Sequence, residues 1–162
     1  MKKITFILFA LIAGTTFAQD ADATANVDAL IVQPIQIKVE DNMNFGSIVS
    51  DGTLGTVVLS ANSDGFADAT STASLVESTR SAALFLVKAA NTYGYSIALP
   101  TSVSLINGTK SMSLSDFNSS LGLTSVGTGS DQLLYVGGTL EVAADQAEGA
   151  YAGDVKVTVA YE

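Results

Sequence analysis

The chain has 162 residues, 48% of them hydrophobic, and its sixteen acidic residues outnumber seven basic ones for a formal charge of −9. It contains no histidine, cysteine or tryptophan. Ser-His-Asp and Cys-His nucleophilic sites are thereby excluded, as are disulfides and zinc sites built on imidazole or thiolate. An acidic surface of this kind repels nucleic acid and anionic lipid.

Residues 1–18 read MKKITFILFALIAGTTFA. Two lysines, an apolar run from Ile4 to Ala13 and the small residues Thr16 and Ala18 have the pattern of a secretory signal, with cleavage expected after Ala18. The run is shorter than the roughly 20 residues a membrane span needs. Losing Lys2 and Lys3 leaves five basic residues against sixteen acidic, a charge of −11. The expected mature chain, 19–162, carries no later stretch able to cross a bilayer; the strongest, at 82–90, is interrupted by Lys88. It is long enough for one domain, and without disulfides that domain must rest on its core alone. The expectation is an exported protein, in the periplasm in transit and then at the cell surface or outside the cell.

Residues 20–40, DADATANVDALIVQPIQIKVE, alternate. Ala21, Ala23, Ala25, Val27, Ala29, Ile31, Ile35, Ile37 and Val39 share one face, and Gln33 alone interrupts it. Such alternation is the mark of a strand with one buried side. The run is about three times the usual five or six residues. Pro34 cannot donate to a ladder and suits a break or an edge. Two readings follow. The run pairs wholly within its own subunit, bent at Pro34, or residues 19–29 are an arm lent to another molecule and the retained strand begins near Leu30.

Further along, 43–49 and 54–60 read as short strands flanking an Asp51-Gly52 turn. Residues 61–74 read as an exposed loop. The continuous apolar stretch at 82–90 reads as a strand buried on both faces. Tyr93, Tyr95, Ile97 and Leu99 share a face, either as part of the core or with the two tyrosines as a sugar-stacking platform. Asn107-Gly108 is a hairpin signal between two strands. Residues 118–132 read as a second loop, and Gly137-Gly138 as a tight turn or a bulge. Asn107-Gly-Thr and Asn118-Ser-Ser match the glycosylation sequon, and both read as turns. Asp64, Asp68, Asp145 and Glu148 are oxygen donors but match no EF-hand spacing, and solvated loop acids are the plainer reading. Paired carboxylates show no spacing that marks acid–base chemistry. No catalytic, cofactor-binding or metal residue is therefore assigned, and neither an enzyme nor a cofactor is expected.

The tail, GAYAGDVKVTVAYE, sets Val155, Val157, Val159 and Tyr161 on one face of an expected strand over 154–161. The whole reads as roughly ten short strands with turns between them and no 3.6-residue period, hence an all-β sandwich.

This tail resembles the C-terminal signature of chaperone-usher pilins. Tyr161 is penultimate, Val159, Val157 and Val155 alternate before it, and Gly149 is fourteenth from the end. With MNFGSIV, YSIALPTSVSLINGTKSMSLSDF and LLYVGGTLEVA, most of the mature chain resembles the domain of unknown function 4402 family, which looks related to spore coat U proteins and archaic pilins. The resemblance implies an immunoglobulin-like, pilin-like sandwich lacking one strand, with an N-terminal donor-strand arm. It implies a fimbria-like fibre subunit that polymerises with itself by donor-strand exchange, helped by a periplasmic chaperone and an outer-membrane usher, in a role such as cell adhesion. The arm residues would be Ala21, Ala23, Ala25, Val27 and Ala29; the groove and chaperone-recognition strand would carry Gly149, Val155, Val157, Val159 and Tyr161. Two departures stand out: there is no disulfide, and the arm is mostly alanine where such arms carry larger side chains. A self-contained sandwich binding carbohydrate or another envelope component is the alternative.

Overall fold

A computed structural model describes residues 20–50, 52–62, 69–76 and 79–162. The expected signal at 1–18 lies outside them, as do Asp64 and Asp68. Contacts divide the chain between Ile31 and Val32.

Residues 20–35 form no strand, and every side chain from Asp20 to Ile31 is exposed. From Gln36 to the end the described residues are all-β, with antiparallel pairing throughout. The strands are β1 (Gln36–Asp41), β2 (Ile48–Val49), β3 (Gly55–Leu59), β4 (Ala69–Ser71), β5 (Ser74–Leu75), β6 (Ala83–Lys88), β7 (Gly94–Ala98), β8 (Ser102–Asn107), β9 (Lys110–Ser119), β10 (Thr124–Val126), β11 (Asp131–Val142) and β12 (Thr158–Tyr161).

The large sheet is built around β11. Its first half pairs β6 from Asp131↔Lys88 to Val136↔Ala83, and its second half pairs β3 from Gly138↔Leu59 to Val142↔Gly55. β9 pairs β11 as well, β1 lies outside β6, and β4 outside β3. A second sheet runs β10-β7-β12, and β2 pairs β5 in a short ribbon. Alternation explains the assembly. Ala83, Phe85 and Val87 from β6, Leu134 and Val136 from β11, and Tyr95 and Ile97 from β7 bury into one cluster between the two sheets. Val57, Leu59, Leu114, Leu140, Val142 and Phe45 form a second. Met43 and Phe117 pack against both, so the interior is continuous in a β-sandwich-like arrangement.

Several local expectations change. The retained strand begins at Gln36, not near Leu30: Pro34 has no N–H to give, and pairing starts two residues later. β6 is buried on one face only, with Leu84, Leu86 and Lys88 half-buried on the other. Gly137-Gly138 makes no turn, because β11 runs straight through with a register shift between Gly137 and Thr139. The glycines are needed for close approach: a Cβ on Gly137 would collide with the Leu59 carbonyl oxygen. Asn118 lies in β9 rather than a turn, and its Oδ1 accepts from the Ala61 N–H at 2.8 Å. Asn107-Gly108 does turn the β8–β9 hairpin, with Gly108 at φ 58°. Tyr95 is fully buried with Ile97, as the core reading expects, while Tyr93 sits at the surface.

Candidate functional site

Two strands at sheet edges lie side by side. β1 gives one edge to β6, and among the described residues its other edge pairs with no strand. β12 gives one edge to β7, and its other edge is likewise unpaired among them. The strands belong to different sheets but are neighbours. Tyr161 of β12 reaches the segments before β1 and after β6: its Oη accepts from the Ala90 N–H at 2.7 Å and donates to the Gln33 carbonyl oxygen at 2.8 Å. Its ring meets Tyr93 edge-on at 6.1 Å. Tyr161→Phe removes both bonds, one of them to a part-buried N–H. We expect it to cost about 1–2 kcal/mol in urea denaturation, with the strand order kept.

The tail keeps its alternation before any ladder forms. Val155, Val157, Val159 and Tyr161 are half-buried and pack on the two core clusters, while the residues between them are exposed. Only 158–161 pair as β12, so the strand expected over 154–161 is half-formed. Residues 153–157 are patterned as a strand without ladder partners among the described residues.

A cleft follows this unpaired stretch. One part, about 380 Å³, is lined by Val39, Asp41, Met43, Phe85, Gly153 and Val155 among others. A second, about 720 Å³, has Met43, Phe45, Leu105, Met112, Leu140 and Val142 in its lining and Gln146 and Tyr151 in its wall. Met43 borders both. Val39 shows what is missing. It alternates with Ile35 and Ile37, which pack on the core, yet it is 54% exposed. An apolar side chain on the inner face of a sheet stays wet only where nothing covers it.

The far wall is a strap, residues 146–153, tied down at several points. The Gln146 N–H donates to Ser50 Oγ at 2.9 Å, and Gln146 Nε2 to Tyr151 Oη at 2.7 Å. Asn107 Nδ2 donates to the Glu148 carbonyl oxygen at 3.2 Å, and Ile106 and Ala152 exchange backbone bonds at 2.8 and 3.2 Å. Gly149 sits at φ 131°, where a Cβ would collide with the Asn107 amide. Gly149→Ala is therefore expected to destabilise by about 1–3 kcal/mol in chemical denaturation. Asn107→Ala in the same background should recover part of that loss by opening the space.

Of the five tail residues singled out from sequence, Val155 lines the cleft and Gly149 lies in its strap, while Val157, Val159 and Tyr161 pack on the core cluster. The arm positions Ala21, Ala23, Ala25, Val27 and Ala29 are unstructured and exposed, with Val27 at 91%. Sequence reasoning missed the opposite wall. Val39 was visible as the next step of the Ile35–Ile37 alternation and Asn107 only as a hairpin residue, whereas Gln146 and Tyr151 carry no pattern that separates them from ordinary loop residues. Among the described residues no group of three or more His, Cys, Asp or Glu side chains is placed to hold a metal, and no helix is long and apolar enough to cross a membrane.

A family model described as domain of unknown function (DUF4402) matches residues 35–161. No curated protein and no solved structure matches the chain.

Proposed function

The chain belongs to the domain of unknown function (DUF4402) family, and from that premise we propose that it is an exported structural subunit of a pilus-like or surface fibre. Its sandwich, pilin-like and immunoglobulin-like in this reading, lacks one strand, and a second copy supplies it. The carrying observation is the cleft between β1 and the tail: two neighbouring edges, unpaired among the described residues, over a floor in which Val39, Met43, Phe85 and Val155 stand beside Asp41, Asn42 and Asp154. Unpaired backbone groups beside a buried surface are costly, and an added strand would satisfy the free edge of the tail while covering the floor. This is strand addition, in which backbone bonds supply affinity and alternate side chains set register. Residues 19–29 are the donor, since they alternate, are exposed where described, and precede the domain that would receive them.

The reading implies an unpolymerised form with an uncovered groove. A periplasmic chaperone that covers it in transit and an outer-membrane usher that passes subunits on are the partners proposed with it. The role is architectural, not enzymatic. On an unboiled detergent gel the purified protein should run as a regular ladder of protomer multiples that boiling collapses to one band. A single protomer band before and after boiling would contradict strand exchange.

A second reading has one observation in its favour. The 720 Å³ part of the cleft lies in the size range of small-molecule sites, with Asn44, Ser50, Gln146, Glu148 and Tyr151 as polar groups beside Met43, Phe45 and Leu140. It would make the chain a self-contained module binding carbohydrate or another envelope component. Specific retention on a glycan array by a monomeric protein would favour it.

A further inference from the structure

We infer the register and direction in which the arm of one copy lies in the groove of the next. The inference rests on the strand-exchange reading above.

The arm is not uniform. On its apolar face Ala21, Ala23, Ala25 and Ala29 are methyl-sized, and only Val27 and Ile31 are larger. They stand four residues apart, about 13 Å along an extended chain. The groove is uneven in the same way. On the tail its smaller cavity is lined by 153–155 and its larger by 146–151, and the odd-numbered positions Val155 and Tyr151, four residues apart, fall one in each. Beside Val157, Val159 and Tyr161 the core cluster is already packed by Ile35 and Ile37. Interiors fill to high density, so large side chains belong where space is open and methyl groups where it is not.

An antiparallel pairing meets every one of these conditions. With Val27 opposite Val155, Ile31 falls opposite Tyr151 at the larger cavity. Ala25, Ala23 and Ala21 then fall opposite Val157, Val159 and Tyr161. Ala29 comes to Gly153, whose backbone is pressed so close to β8 that a Cβ there would stand 2.8 Å from the Ser104 carbonyl oxygen. All these partners are odd-numbered, so inward faces inward along the full length. A parallel pairing through the same cavities fails. It would carry Ala25 and Ala23 out along the strap at Gly149 and Ala147. It would also need Gln33, Ile35 and Ile37 to cover 157–161, and these residues already serve their own subunit. Shifting the antiparallel pairing by two residues puts an alanine into each cavity or Val27 against the packed end. Val27 and Ile31 are thus the anchors that set register, and the alanines are spacers that fit because they are small.

The absence of cysteine makes the test direct. Directly opposed antiparallel residues lie within the Cα separation a disulfide spans, and positions displaced by two residues lie beyond it. The full chain carrying Val27→Cys with Val155→Cys, purified after export and oxidised, should give a boiling-resistant ladder on a non-reducing gel that collapses on reduction. Ala25→Cys with Val155→Cys should give at least tenfold less. If the second pair links and the first does not, the register is overturned and strand exchange stands. If neither pair joins protomers, or the first closes within a single chain, the exchange reading is overturned as well. As a cysteine-free check, Val27→Ala with Ile31→Ala should lower the polymer fraction at least tenfold, while Ala23→Gly changes it less than threefold. Equal effects from the two would overturn the anchors.

Discussion

A chain lacking residues 19–29 should be a folded monomer. Where described, these residues form no strand and are exposed, so their loss removes no core contact, and thermal unfolding should shift by the equivalent of less than about 1 kcal/mol. Assembly should be abolished. At about 25 cal/mol per Å² of apolar area, each arm alanine contributes well under 1 kcal/mol, Val27 about 1.5, and the side chains from Ala21 to Ala29 together about 3–5 kcal/mol. Each ladder bond adds about 0.5–1.5 kcal/mol net. Removing the whole set leaves Ile31 without the ladder that would seat it, and residues 30–162, with thirteen acidic residues against five basic, still repel at −8 per subunit. Size-exclusion chromatography beside circular dichroism separates the outcomes: native spectrum with monomer elution supports the account, and undiminished polymer contradicts it.

The second large effect is at Val39. Val39→Asp should leave the isolated domain within about 1 kcal/mol of its parent, because the side chain already lies half in water on an edge strand. In a filled groove the same carboxylate would face Phe85 and Met43 with no partner, and burying an unpaired charge costs several kcal/mol. The polymer fraction should fall at least 100-fold. Leu134→Ala supplies the contrast. Leu134 is fully buried in the cluster between the sheets, so truncation should cost about 2–5 kcal/mol whether or not copies assemble. Denaturation midpoints measured in the arm-deleted background, together with the unboiled ladder of each full-length variant, distinguish a groove residue from a core residue. If Val39→Asp unfolds the deleted domain as Leu134→Ala does, Val39 is a core position and the groove is not open.

Much of the fold was legible because period-two patterning is a local signal. The alternation of Tyr95 and Ile97, the Asn107-Gly108 turn and the half-buried face of the tail all follow from neighbouring residues. What was not legible depends on residues far apart. Gly137 looks like a turn until Leu59 is laid against it, and its purpose is then closeness rather than bending. β4 and β10 lie in stretches rich in Ala, Ser, Thr and Gly, where nothing apolar announces a strand, and their partners β3 and β7 impose the conformation. The run at 82–90 looks buried on both sides because Leu84 and Leu86 are as apolar as Phe85 and Val87, and only the position of the second sheet decides which face is covered. At the site, the tail residues announced themselves by alternation. The strap did not, since its ties at Asn107, Gln146 and Tyr151 are single hydrogen bonds between segments as distant as Ser50 and Gln146.

The two halves of the 20–40 run behave differently for a reason visible in their side chains. Ile35 and Ile37 bury enough apolar area to hold β1 against β6, while a row of alanines cannot offset the entropy of fixing a strand unless a pre-formed groove accepts it. The account therefore depends on a β-sheet edge that is completed between molecules rather than within one.

Light scattering on purified residues 19–162 across a range of concentrations tests that dependence most directly. Masses that step upward in whole multiples of the protomer are the predicted result. One protomer mass at every concentration, with the amides of residues 153–161 already protected from exchange by the chain's own first residues, would contradict it.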